Sequence, residues 1–133
     1  MRKIRIIEHI SLDGVIQAPG GPDEDYDSDF NYGGWIVPHA DPAAGKLIVE
    51  AHGDRFDLLL GRRTYDIWSA YWPKVSGNPF ADGFNSATKH VATHRPESLT
   101  WGPAKDLGTD IVDSIRRIKS SEGPGIIVGG SST

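Results

Sequence analysis

The sequence predicts an α/β domain with a mostly parallel central sheet covered by helices on both faces, and three observations lead there. Short runs rich in Ile, Val and Leu alternate with longer segments that carry apolar residues at helical spacing. Three of the short runs lead into glycine turns, at Gly14, Gly61 and Gly129. No internal repeat is present, so the alternation describes one domain over residues 1–133 rather than an array.

Taken in order, residues 3–10 form a β-branched run with Ile4, Ile6, Ile7 and Ile10, too short for a helix and closed by Asp13-Gly14. Residues 19–34 are rich in Gly, Pro and Asp and read as a long loop. Asp41-Pro42 supplies an N-cap and a proline at the first helical position. Ala44, Leu47, Ile48 and Ala51 then line one face of a sheet-packed helix that stops before Gly53. Residues 57–60 are a short apolar strand, and Gly61 turns the chain into a helix over residues 64–72 that Pro73 ends. A loop follows. Residues 89–94 and 99–101 read as strands, residues 110–120 as a helix with Ile111, Ile115 and Ile118 on one face, and residues 125–128 as a buried strand. Gly129-Gly130-Ser131-Ser132-Thr133 then announces a helix whose body is absent, so the C-terminal helix and edge strands are expected to be truncated. Unpaired sheet edges left in this way favour a homodimer.

Composition narrows the chemistry. With 38% hydrophobic and 24% charged residues, the chain has the profile of one ordinary soluble domain. No stretch approaches the roughly 20 apolar residues of a membrane span, and a cytoplasmic location is expected. The absence of Cys removes disulfides, thiolate zinc sites and thiol nucleophiles. The five His residues lack metal-ligand spacing, so no metal is expected. A net charge of −4 argues against a nucleic-acid partner. Charge is nevertheless unevenly spread, with Asp23, Glu24, Asp25, Asp27 and Asp29 in one stretch and Arg62, Arg63, Lys89, His94 and Arg95 in others.

In an open parallel sheet, ligands settle at the carboxyl ends of the strands, and three candidate loops lie there. Gly61-Arg62-Arg63-Thr64 brings backbone N–H groups, a hydroxyl and two guanidinium groups to a helix N-terminus, a suitable setting for a phosphate. Gly129-Gly130-Ser131-Ser132 repeats that logic, and Thr93-His94-Arg95 follows a third strand. Neither glycine segment is a Walker loop or a GxGxxG fingerprint, and each alone also reads as a tight turn or a solvated helix start. Their common placement at strand ends favours phosphate binding.

Four segments carry a resemblance: Ser11-Leu12-Asp13-Gly14-Val15-Ile16, Leu59-Leu60-Gly61-Arg62-Arg63-Thr64-Tyr65, Lys89-His90-Val91-Ala92-Thr93 and Ile126-Ile127-Val128-Gly129-Gly130-Ser131. In sequence and spacing they resemble the dihydrofolate reductase-like superfamily across nearly the whole chain. The Leu-Asp-Gly after the first strand looks more like the riboflavin-biosynthesis reductase branch than like true dihydrofolate reductases.

The resemblance implies a three-layer fold and an NADPH cofactor. Arg63 and Thr64, after Gly61, would hold the pyrophosphate. Arg62, His94 and Arg95, with Thr93 beside them, would surround the adenosine 2'-phosphate. The residues agree, because a 2'-phosphate calls for Arg where an NAD site would present an acid to the 2'-hydroxyl. Gly129 and Gly130 match the family's cis glycine pair, and Ser131, Ser132 and Thr133 would cap the missing helix over the phosphate. Val15 and Ile16 match the nicotinamide-contacting backbone, and the loop that follows takes the place of a lid with Gly20 and Gly21 as hinges. Asp13 matches a substrate-contacting catalytic Asp, though it reads equally as a turn residue. Trp35, near Tyr32, would stack on a flat substrate or seal the core.

The helix start Pro42-Ala43-Ala44-Gly45-Lys46-Leu47 lacks the carboxylate that grips a pterin, Asp41 being better placed as an N-cap, so folate is not the expected substrate. Without Cys or a His-x-Glu element, deaminase chemistry is excluded. The expected activity is hydride transfer from NADPH to a C=N or C=O group of a small heterocyclic or sugar-linked molecule, such as a ribosylamino-pyrimidine. A non-catalytic, dimer-forming nucleotide-binding module is the alternative, and an unrelated phosphate-binding domain a third.

Overall fold

The computed structural model describes residues 1–130. The described strands are β1 (Ile4–Ile7), β2 (Phe56–Gly61), β3 (Lys89–Ala92), β4 (Ala104–Asp106) and β5 (Gly125–Gly129). The helices are α1 (Pro42–His52), α2 (Arg62–Tyr71), α3 (Pro79–Ser86) and α4 (Ile111–Ser120). The strands form one all-parallel sheet in the order β1-β5-β2-β3-β4. The chain divides into two compact units, Met1–Ile7 together with the chain from His52 onward, and Glu8–Ala51. The sheet belongs to the first.

Strand alternation sorts the sheet into two faces. On one, Leu58, Leu60, Val91 and Ile127 are buried against Tyr65 of α2, Phe84 of α3, and Trp101. Full burial of such side chains stabilises by about 1.5–3 kcal/mol each, which makes this cluster the main hydrophobic core. Asp57 and His90 alternate with these residues and so project from the opposite face, where they meet Ser114, Arg117 and Ile118 of α4. Helices thus cover both faces.

Several elements differ from expectation for local reasons. β1 stops at Ile7 because its partner β5 ends there, Ile7 pairing with Gly129. The fourth strand is Ala104–Asp106 instead of residues 99–101: Trp101 is committed to the core, and pairing begins only where Lys89 N donates to Pro103 O at 2.9 Å. Helix α3 was expected as loop. Asn78 caps it by accepting from Phe80 N at 2.9 Å, and Pro79 occupies its first position. Phe80 and Phe84 at i, i+4 then join an aromatic cluster in which Trp72 stacks on Phe84 at 4.5 Å.

Lys89 is wholly buried in this core, its Nζ donating to Asn85 O at 2.7 Å and Gly102 O at 3.2 Å and lying 4.2 Å from the Trp101 ring centroid. Burial pushes its pKa down from 10.5 to about 8. Between those values the unfolded chain holds more protons than the folded one. Stability should therefore rise with pH from about 8 to 10.5, by up to about 3 kcal/mol. Urea midpoints at about pH 7.5 and about pH 9.5 check this, and Lys89→Met should flatten the rise. An unchanged wild-type midpoint would contradict it.

The unit Glu8–Ala51 contains two short 3-10 turns, Asp27–Asp29 and Val37–His39, and most of α1. Asp41 caps α1 as expected, its Oδ1 accepting from Ala43 N at 2.6 Å. Leu47, expected to face a sheet, is 66% exposed. Gly20 and Gly21, expected as hinges, are pinned instead, both N–H groups donating to Glu24 Oε2 at 2.7 and 3.0 Å.

Candidate functional site

The three strand-end loops are tied to one another by side chains. β2 delivers Gly61 to the start of α2, and this residue has no side chain to cap the helix, whose first turn is Arg62-Arg63-Thr64. Arg62 lies along the helix surface and reaches the end of β3. Its Nη1 donates to Thr93 Oγ1 at 3.2 Å and to Arg95 O at 3.0 Å. Thr93 Oγ1 also accepts from Arg95 N at 3.0 Å, which folds the turn that presents His94 and Arg95 to solvent. On the other side, Thr64 Oγ1 donates to Gly130 O at 2.9 Å, fastening the α2 start to the loop after β5. Gly61, Arg62, Arg63, Thr64, Thr93, His94, Arg95, Gly129 and Gly130 are therefore gathered along the carboxyl ends of β2, β3 and β5.

The glycines have separate reasons. Gly130 turns the chain with φ of +67°, a region that favours Gly. At Gly129 an added Cβ would stand 3.0 Å from Trp68 Cη2. Gly129→Ala is expected to displace that indole and cost about 1–3 kcal/mol, read as a lower urea midpoint; an unchanged midpoint would show that Trp68 gives way freely.

The Gly129-Gly130 peptide, expected to be cis, is trans, and the positive φ of Gly130 makes the turn instead. The cis bond among the described residues is Gly102-Pro103. Ser131 and Ser132, expected to contact the cofactor, and Thr133, expected to help cap the helix, lie outside the described residues.

One residue was missed. Asp66, one turn into α2, accepts from Arg62 Nε with both carboxylate oxygens at 2.8 and 3.0 Å, and its Oδ2 lies 3.6 Å from Arg95 Nη2. The hydrogen bond that Arg62 donates to Asp66, more than any other cause, holds the guanidinium above its ordinary pKa. Arg62 and Asp66 at i, i+4 was the available signal.

In the other unit, Ser11 organises a tight turn around Asp13. Its Oγ accepts from Val15 N at 2.8 Å and donates to Asp13 Oδ1 at 2.5 Å. That hydroxyl, followed by the Asp13 backbone, lowers the pKa of this exposed carboxyl. Val15 and Ile16 are half-buried. Trp35, also half-buried, donates its indole N–H to Gln17 O at 2.8 Å.

A second polar cluster sits at the opposite ends of the strands. Arg2 is buried, donates Nε to Pro124 O at 2.7 Å and pairs with Asp57, whose Oδ2 also lies 3.4 Å from His90 Nε2. Burial pushes the His90 pKa down; Asp57 opposes that shift, while Arg2 and Lys105 add to it. These groups line a cavity of about 550 Å³ with Arg117 and Ser114 of α4. Each buried charge here already has a protein partner, which marks the cluster as structural. Among the described residues no group of three or more His, Asp or Glu is placed to hold a metal, and no helix is long and apolar enough to cross a membrane. No protein-family profile matches the chain, and no curated protein matches it.

Proposed function

We propose that the chain is an NADPH-dependent reductase of the dihydrofolate reductase-like superfamily, resembling its riboflavin-biosynthesis branch, acting on a small heterocyclic substrate. The observation that carries the reading is the tie from Arg62 to Thr93 and Arg95 beside the tie from Thr64 to Gly130. Three loops at the carboxyl ends of parallel strands are thereby held together, where ligands of such sheets bind. A dinucleotide fits the residues present: a helix N-terminus for the pyrophosphate, with Arg63 and Thr64, and two guanidinium groups with His94 for a further phosphate.

Bound NADPH would supply a hydride to a C=N or C=O group of the substrate. The chain's own part is to grip the phosphates through Arg62, Arg63, Thr64, His94 and Arg95, and so fix where the rest of the cofactor lies. The roles of Asp13 and Trp35 at the substrate, and of the Val15 and Ile16 backbone at the nicotinamide amide, follow from the resemblance alone. The substrate class, ribosylamino-pyrimidine or a related heterocycle, follows from the resemblance alone.

The second reading, a nucleotide-binding module without turnover, is favoured by α1, whose first turn has no acid and whose Asp41 is committed to capping. Mixing the protein with NADPH and a panel of pterins, pyrimidines and ribosylamino-pyrimidines, and following loss of the reduced-nicotinamide absorbance, separates the readings. Turnover of one compound supports the reductase. NADPH binding without turnover leaves the module, and absence of binding overturns both.

A further inference from the structure

The carboxylate of Asp66 lies between the two guanidinium groups that the phosphate reading depends on. Both its oxygens engage Arg62 Nε, and Oδ2 is also 3.6 Å from Arg95 Nη2. Arg62 opens α2 at the end of β2 and Arg95 follows β3, so this is more than a pair along one helix face. The Asp66 side chain remains 46% exposed, within reach of a ligand. With Arg62 and Arg95 the group carries one net positive charge rather than two.

The two kinds of group favour different ribose chemistry. A carboxylate accepts the hydrogen bond of a 2'-hydroxyl, while arginines accommodate a 2'-phosphate. A 2'-phosphate brought to this cluster meets two cations and one like charge. A 2'-hydroxyl meets an acceptor whose position two arginines fix.

We infer that Asp66 is the residue that sets dinucleotide specificity, giving a site that accepts both NADH and NADPH. This rests on the dinucleotide-binding reading above. Arg62 is then mainly a positioning residue: Nη1 is spent on Thr93 and Arg95 and Nε on Asp66, which leaves Nη2 for ligand. Arg95, with a side chain 62% exposed, is the more accessible of the two guanidinium groups.

The test is to measure Kd for NADH and NADPH with wild type, Asp66→Asn and Asp66→Ser, with far-UV circular dichroism to confirm that each folds. Wild type should bind both dinucleotides with affinities within about tenfold, and Asp66→Asn should shift the ratio at least about tenfold towards NADPH by tightening NADPH and weakening NADH. Asp66→Ser should shift it in the same direction. Equal changes in both affinities, or weaker NADPH binding in both variants, would make Asp66 a structural strut and overturn the inference while leaving the reductase reading intact. If wild type binds neither dinucleotide, the reading itself fails and the inference falls with it.

Discussion

Replacing Asp57 by Ala is expected to cost about 3–5 kcal/mol of folding stability, because it strands the buried guanidinium of Arg2 without its carboxylate. Pro124 O alone would remain to satisfy it. The same substitution removes the group that favours His90 protonation, leaving burial, Arg2 and Lys105 unopposed. A histidine whose folded pKa lies below its unfolded value loses stability as pH falls below about 6.5, since the unfolded chain then binds the extra proton. That acid-side loss should start from the lowered midpoint and persist to lower pH in the variant. Urea unfolding at neutral and mildly acidic pH reads both effects. Glu50→Ala, which removes the exposed partner of Lys46, is the control and should shift stability by less than about 1 kcal/mol. A comparably small change in Asp57→Ala would show that water reaches Arg2.

The second large effect concerns the loops. Arg62→Ala with Arg95→Ala should weaken 2',5'-ADP binding by at least about 10²-fold, because two charge-assisted contacts worth about 1.5–3 kcal/mol each are lost. Asp66 would then face the phosphate with neither arginine between them. Arg62→Ala also cuts the tie to Thr93 and the Arg95 carbonyl. Isothermal titration calorimetry gives the affinities, and a melting curve confirms that the variant folds. Retention of 2',5'-ADP affinity would remove these two residues from the ligand's surroundings.

The parts of the fold legible in the sequence were those that local chemistry decides. Asp41-Pro42 marked a helix start that the structure caps through the Asp41 carboxylate. Strands β2 and β5 were visible as apolar runs because both of their faces are covered. The limits of β1 and β4 were not legible, since they depend on where the neighbouring strand offers a partner, as at Ile7 with Gly129 and at Lys89 with Ala104. Helix α3 was hidden by the Gly, Pro and Asn around it, although Asn78-Pro79 followed by Phe80 and Phe84 held both a cap and a helical pair. Among the candidate site residues, Arg62 and Thr64 were proposed from their place after a strand, and the structure brings them to the loops after β3 and β5. Asp66 escaped notice because a lone acid on a helix gains meaning only when its neighbour in space, Arg95, is known.

The central claim is that the loops after β2, β3 and β5 form one binding surface for a phosphorylated dinucleotide. Amide chemical-shift mapping of isotope-labelled protein during titration with NADPH tests it most directly. Concerted saturable shifts are expected at Arg62, Arg63, Thr64, Thr93, His94, Arg95 and Gly130, with little change around Arg2 and His90 at the opposite ends of the strands. Saturable shifts confined to the Arg2 and His90 cavity, or none at all, would contradict it.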